Sequence, residues 1–179
     1  ARCTVISIGP AGEFLMSAAG IACTGHEEQD SRMAARGGLG ALMGSKGLKA
    51  IVLDASGADA LPLADPELFR ASARRFAREL IENPRTGRQG AMHMYGTSAI
   101  VEAVNEMGAF PTRNFSAGRF EAAENVCGPR LREITLERGG KVGTTCMPGC
   151  VIACCNLFVD EAGKPVVSTL QYETIGLLG

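Results

Sequence analysis

Three of the seven cysteines in this 179-residue chain recur at a spacing of four: Cys146, Cys150 and Cys154. They lie in the stretch Thr145-Cys146-Met147-Pro148-Gly149-Cys150-Val151-Ile152-Ala153-Cys154-Cys155. Thiolates select iron–sulfur clusters, zinc or cuprous copper over hard cations. Pro148-Gly149 predicts a loop after Cys146. Cys150 and Cys154 then fall one turn apart on a short helix, with Cβ atoms about 5–6 Å apart. Such a loop-plus-helix arrangement would hold three irons of a cubane. Other readings of the same residues stay open. A structural zinc needs four ligands, usually as two close pairs, and the only histidines, His26 and His93, are distant in sequence. An odd number of cysteines disfavours a disulfide framework. Cysteine is also a good small core residue. A fourth cluster ligand would be Cys127, a cysteine outside this chain, or none.

A second stretch could bind an anion. It runs Arg32-Met33-Ala34-Ala35-Arg36-Gly37-Gly38-Leu39-Gly40 and continues through Gly44-Ser45-Lys46 to Lys49. Glycines let a ligand approach the main chain, and successive amides can form an anion-binding nest. Arg32 and Arg36 could fork onto phosphate oxygens, with Lys46 and Lys49 as added point charges. The stretch is neither a Walker loop nor a dinucleotide fingerprint. The plainer alternative is a tight glycine turn with solvated cations. One phosphate site and one cluster site together suggest a redox enzyme with a phosphate-bearing cofactor.

These residues need elements to position them. Residues 3–8 read as a buried strand, followed by a Gly9–Glu13 turn into a short helix. A further strand starts near Ile21, and Ala50–Leu53 is another. Residues 54–64 read as a linker. Asp65-Pro66-Glu67 is a strong helix start, leading an apolar stripe of Leu68, Ala73, Phe76, Leu80 and Ile81 that ends near Asn83-Pro84. A second helix is expected from Thr97 or Ser98 to Gly108. Phe110–Phe115 should be extended, since Pro111 biases its predecessor away from the helical region. Pro129 opens a third helix to about Arg138. Leu157–Val159 and Val166–Leu170 read as a hairpin around Gly163. Residues 1–54 carry the strands and glycines and residues 65–179 the helices and the cysteine stretch, so an α+β chain in two regions is expected.

Composition narrows the function. The chain is 46% hydrophobic with a net charge of −1, which does not suit nucleic-acid binding. No apolar run is long enough to cross a bilayer. It has 23 glycines and no Trp, which suggests close backbone approach more than aromatic packing. The first residue is Ala1, and the last residues run into a helix-like pattern, so an internal piece of a longer protein is expected.

Several of these motifs, in this order, resemble the aldehyde ferredoxin oxidoreductase family. Gly9-Pro10-Ala11-Gly12-Glu13 and the Arg36–Ile51 stretch are similar to its first domain. Pro111-Thr112-Arg113-Asn114-Phe115, the Cys146–Cys154 stretch and Tyr172-Glu173-Thr174 are similar to the region that follows. The resemblance implies an enzyme oxidising aldehydes to carboxylic acids at a tungsten or molybdenum atom held by two pterin dithiolenes. A 4Fe-4S cluster would pass electrons to ferredoxin or a partner subunit, in the cytoplasm. It also implies roles for particular residues. Arg32, Met33, Arg36, Gly37, Gly38 and Leu39 would contact the pterin phosphates and their bridging magnesium. Cys146, Cys150 and Cys154 would bind the cluster, and Glu173 would relay a proton near the metal. This chain has three residues between its first two clustered cysteines where the family has two. The family's fourth cysteine, its Asp-x-x-Gly-Leu motifs and its metal-proximal histidine are not in this stretch. Two alternatives keep the scaffold but change the activity: a reductase acting on, for example, an aromatic thioester, or a non-catalytic iron–sulfur module.

Overall fold

The computed structural model describes residues 3–25, 31–168 and 170–178. His26 lies outside them. The chain divides into two compact units, Ala1–Ala64 and Asp65–Gly179, and the class is α+β.

The first unit is built on a four-stranded antiparallel sheet. Its strands are β1 (Thr4–Ser7), β2 (Ile21–Thr24), β3 (Ser31–Ala34) and β4 (Ala50–Leu53), in the order β3-β2-β1-β4. Strand β3 was not legible as a strand, because Ser31-Arg32-Met33-Ala34 carries no β-branched residue. It forms by pairing with β2, with Arg32 opposite Cys23 and Met33 opposite Ala22. Two short helices, α1 (Pro10–Glu13) and α2 (Leu39–Ser45), pack on each other. Their contact is glycine on glycine. A Cβ on Gly44 would collide with the Gly12 carbonyl oxygen, and one on Gly12 would stand 2.9 Å from Gly40 O. Ile8, Ala19 and Met43 are the buried apolar side chains of this unit.

The second unit opens with α3 (Pro66–Glu82). Asp65 caps it as expected: one carboxylate oxygen accepts from Glu67 N at 3.1 Å and Leu68 N at 2.9 Å. Asp65→Ala should cost about 1 kcal/mol of helix stability. Hydrogen exchange should then quicken in the first turn of α3 and stay unchanged in the later helices. The apolar stripe of α3 behaves differently from expectation, since the helix has no buried residue.

The hydrophobic centre of this unit is Val101, Phe110, Ala123 and Cys127, with Val104, Phe120, Val126, Tyr172 and Ile175 packed against it. It draws on α5 (Val101–Glu106) and α7 (Tyr172–Leu178). Helix α4 (Ala91–Tyr95), which the sequence reading did not anticipate, precedes a 3₁₀ turn over Gly96–Ile100. The second expected helix is therefore part 3₁₀ and part α. Helix α6 (Gly128–Glu137) has Pro129 in its first turn, as read, and packs on α4 and on a three-stranded antiparallel sheet. That sheet is β5 (Lys141–Thr144), β6 (Cys155–Val159) and β7 (Pro165–Val167), in the order β5-β6-β7. The β6–β7 hairpin turns where Gly163 N donates to Asp160 O.

The segment expected to be extended after Pro111 is instead a turn. Arg113, Asn114 and Phe115 are all left-handed, at φ 48°, 55° and 65°. A bridge between Thr112 and Ala117 closes it, and Arg113 pairs with Glu121. Three consecutive non-glycine residues in this region are strained.

Candidate cluster and anion sites

The three spaced cysteines lie on one loop, residues 145–154, which joins β5 to β6. The expected helix across Cys150 and Cys154 is absent. A turn follows Pro148-Gly149, with Cys150 N donating to Met147 O at 3.4 Å. Ala153 then takes φ 49°, a left-handed conformation that costs about 1–2 kcal/mol for a residue with a Cβ and ends any helical path. Long-range partners hold it there. His93 on α4 bonds through Nδ1 to Ile152 O at 2.7 Å. A carbonyl only accepts, so Nδ1 carries the hydrogen of this bond. Gly96 sits beneath the third cysteine at φ 63°, where an added Cβ would stand 2.6 Å from Cys154 O. Neither partner is visible from local spacing.

All three thiols are half-buried. The Cys154 thiol is pushed well up. The hydrogen bond with Cys155 is the main cause, then burial, then the charge that Cys155, Cys146 and Cys150 would bring as thiolates. The loop therefore brings these side chains within electrostatic reach of one another. Among the described residues, no three His, Cys, Asp or Glu side chains converge tightly enough to hold a single metal ion. A cubane presents a different iron to each thiolate, so its ligands stand further apart than those around one ion.

Two buried polar atoms flank the base of this loop. Thr144 Oγ1, at the end of β5, and Arg132 Nε, on α6, are enclosed without a hydrogen-bond partner among the described residues. A sulfur-rich anionic group would suit both donors. The residues therefore fit a cluster. Cys127, weighed as a fourth ligand, is placed elsewhere: it is buried in the hydrophobic centre and its thiol donates to Glu124 O at 3.1 Å. Cys155 opens β6 opposite Thr144 and is buried.

In the first unit, Arg36, Gly37, Gly38 and Leu39 form one continuous turn into α2, directly after Arg32 and Met33 on edge strand β3. Gly37 and Gly38 are left-handed, at φ 83° and 67°. A side chain on Gly38 would strike Ser17 O. Gly40 N donates to Ala19 O at 2.9 Å, which fixes the start of the helix. Arg36 is exposed and Arg32 half-buried. The turn offers an accessible guanidinium beside an open main chain, which fits an anionic ligand. Lys49 is spoken for, bonding Glu13 at 2.7 Å.

Glu173 is exposed on the first turn of α7. That helix is seated by Tyr172. Its amide donates to Thr97 Oγ1 at 2.9 Å, and its ring lies 5.8 Å from Phe110. Burial, and then the neighbouring Glu173 carboxylate, raise the Tyr172 phenol. Among the described residues, no helix is long and apolar enough to cross a membrane.

Residues 1–55 match the family model "Aldehyde ferredoxin oxidoreductase, N-terminal domain", and residues 72–179 match "Aldehyde ferredoxin oxidoreductase, domains 2 & 3". Curated relatives named "Tungsten-containing aldehyde ferredoxin oxidoreductase" are similar over much of the chain. The protein from Pyrococcus furiosus is 38% identical over 175 residues, 98% of this chain and 26% of the relative. That from Thermococcus kodakarensis is 43% identical over 127 residues, 71% of this chain and 20% of the relative. That from Pyrococcus abyssi is 40% identical over 146 residues, 82% and 22%. The chain thus spans about a quarter or less of the length of these relatives. With both family models matched in order, the chain belongs to the aldehyde ferredoxin oxidoreductase family.

Proposed function

We propose that this chain is the cofactor-holding portion of a cytoplasmic enzyme that oxidises aldehydes to carboxylic acids and delivers the electrons to ferredoxin. The reading is supported by the names of the relatives and carried by one structural observation. Cys146, Cys150 and Cys154 share a single loop whose base holds two buried donors, Arg132 and Thr144. When bound, a tungsten (or molybdenum) bis-pterin centre would supply the two-electron oxidation, and a 4Fe-4S cluster the one-electron exit.

The chain's own residues have separable tasks. Cys146, Cys150 and Cys154 hold the cluster, with His93 and Gly96 fixing the loop from behind. The turn from Arg36 to Leu39, with Arg32 and Met33 before it, holds the pterin phosphates and their magnesium, partly through main-chain groups. Glu173 is exposed and takes up the proton that leaves as the substrate is oxidised. The domain division of the proposal is 1–54 for the pterin-holding part and 65–179 for the cluster-bearing part. The phosphate role is tested at Arg36 in the full-length protein. Hydrogen bonds to charged groups contribute about 1.5–3 kcal/mol. Arg36→Ala should therefore weaken pterin retention about 10- to 100-fold through dialysis, with Arg36→Lys intermediate. Full pterin content in Arg36→Ala would remove Arg36 from the site.

A further inference from the structure

Arg132 is half-buried and has no acidic partner among the described residues. On the same helix, Glu133 pairs with Arg130. The Arg132 Nε is enclosed and makes no hydrogen bond among the described residues. It lines a cavity of about 10 Å³ with His93, Cys154, Cys155 and Asn156, between α4, α6 and the β5–β6 pair. That volume has room for about one water. Arg132 therefore shares a cavity wall with Cys154 at the base of the cysteine loop; with donors only, its guanidinium can act there by charge and hydrogen bonding and not as a ligand. An enclosed Nε–H without an acceptor is destabilising unless an anion or a water nearby accepts from it.

We propose that Arg132 is a positioning residue whose fixed positive charge, set behind Cys154, offsets the negative charge of the cluster and raises its midpoint potential. The inference rests on the reading of Cys146, Cys150 and Cys154 as cluster ligands. A thiolate-bound cubane is anionic and becomes more so on taking up an electron. A cation at short range, in an environment less polar than water, therefore favours the reduced form. Hydrogen bonds and charges around the sulfurs are a general lever on cluster potential.

The test is a redox titration of the full-length holoenzyme, following the paramagnetic signal of the reduced cluster. Arg132→Gln should shift the equilibrium for reduction about tenfold toward the oxidised form, a fall of about 59 mV for a one-electron couple. Arg132→Lys, which keeps the charge, should stay near the wild-type midpoint. Arg130→Gln removes a cation of the same helix that is paired with Glu133 and should leave the midpoint unchanged. Iron content separates the two levels of inference. Iron-free wild-type protein would sink the cluster itself. Iron-replete Arg132→Gln at the wild-type midpoint would overturn only the role of Arg132, whose Nε would then be served by a trapped water. Iron lost from Arg132→Gln but kept by Arg132→Lys would support a charge role. Iron lost from both would make Arg132 a packing residue and overturn the proposal.

Discussion

Cys150→Ala should leave the full-length protein, purified without air, with iron content near zero and without the visible absorption of iron–sulfur thiolates. Cys150 is the middle one of the three proposed ligands, in the part of the loop that precedes the His93 bond to Ile152 O. The turn before it rests on one long bond, Cys150 N to Met147 O at 3.4 Å, and no disulfide joins the described cysteines. On that proposal, removing Cys150 takes away one bond to iron and loosens the first half of the loop, while His93 still holds Ile152 O. Cys127→Ala is the informative comparison. Its thiol lies in the hydrophobic centre, with its hydrogen bond to Glu124 O, so the variant should lose some stability and keep its iron. If Cys150→Ala kept its iron, Cys150 would leave the ligand set. If Cys127→Ala lost its iron while staying folded, Cys127 would return to the ligand set despite its place in the hydrophobic centre.

Phe110→Ala is the substitution expected to cost most in stability. Phe110 is 0% exposed, its carbonyl accepts from Thr112 Oγ1 at 3.0 Å, and its ring meets Tyr172. Emptying a fully buried aromatic site costs about 3–5 kcal/mol, a large part of the 5–15 kcal/mol typical of a domain. The damage should spread to α7, because the Tyr172 ring packs on Phe110 and the same helix carries Glu173. Amide exchange in the full-length protein is the measurement. Protection of α5 and α7 should fall together, while the Leu39–Ser45 helix of the first unit keeps its own. A fall confined to Phe110 and its immediate neighbours would mean that the centre is not a cooperative unit.

Local chemistry made much of the fold readable. Asp65-Pro66-Glu67 announced α3, Pro129 announced α6, and Gly163 between two apolar runs announced the β6–β7 hairpin. Each signal acts within a few residues. What escaped depends on distant partners. Strand β5 contains Gly143 and pairs only because β6 returns beside it. The cysteine loop has helical spacing but is bent by His93, 59 residues from the carbonyl it holds, and by Gly96 under Cys154. Arg113–Phe115 looked extended after Pro111, yet the Thr112–Ala117 bridge and the Arg113–Glu121 pair hold a left-handed turn there. The candidate residues themselves were legible because cysteine, arginine and glycine carry their chemistry in their types. Arg132 was not, since an arginine in an amphipathic helix is ordinarily solvated.

The contact between Gly12 on α1 and Gly40 and Gly44 on α2 works as a keyed joint. The nearest obstruction at Gly44 is the Gly12 carbonyl, which cannot rotate aside as a side chain would, so the pitch at which the Arg36–Leu39 turn is presented is cut into the main chain. Thermal drift of neighbouring rotamers leaves that pitch alone. The same joint makes the angle hard to retune by gradual change. A methyl group is the smallest increment that mutation offers, and at Gly44 it already exceeds the clearance.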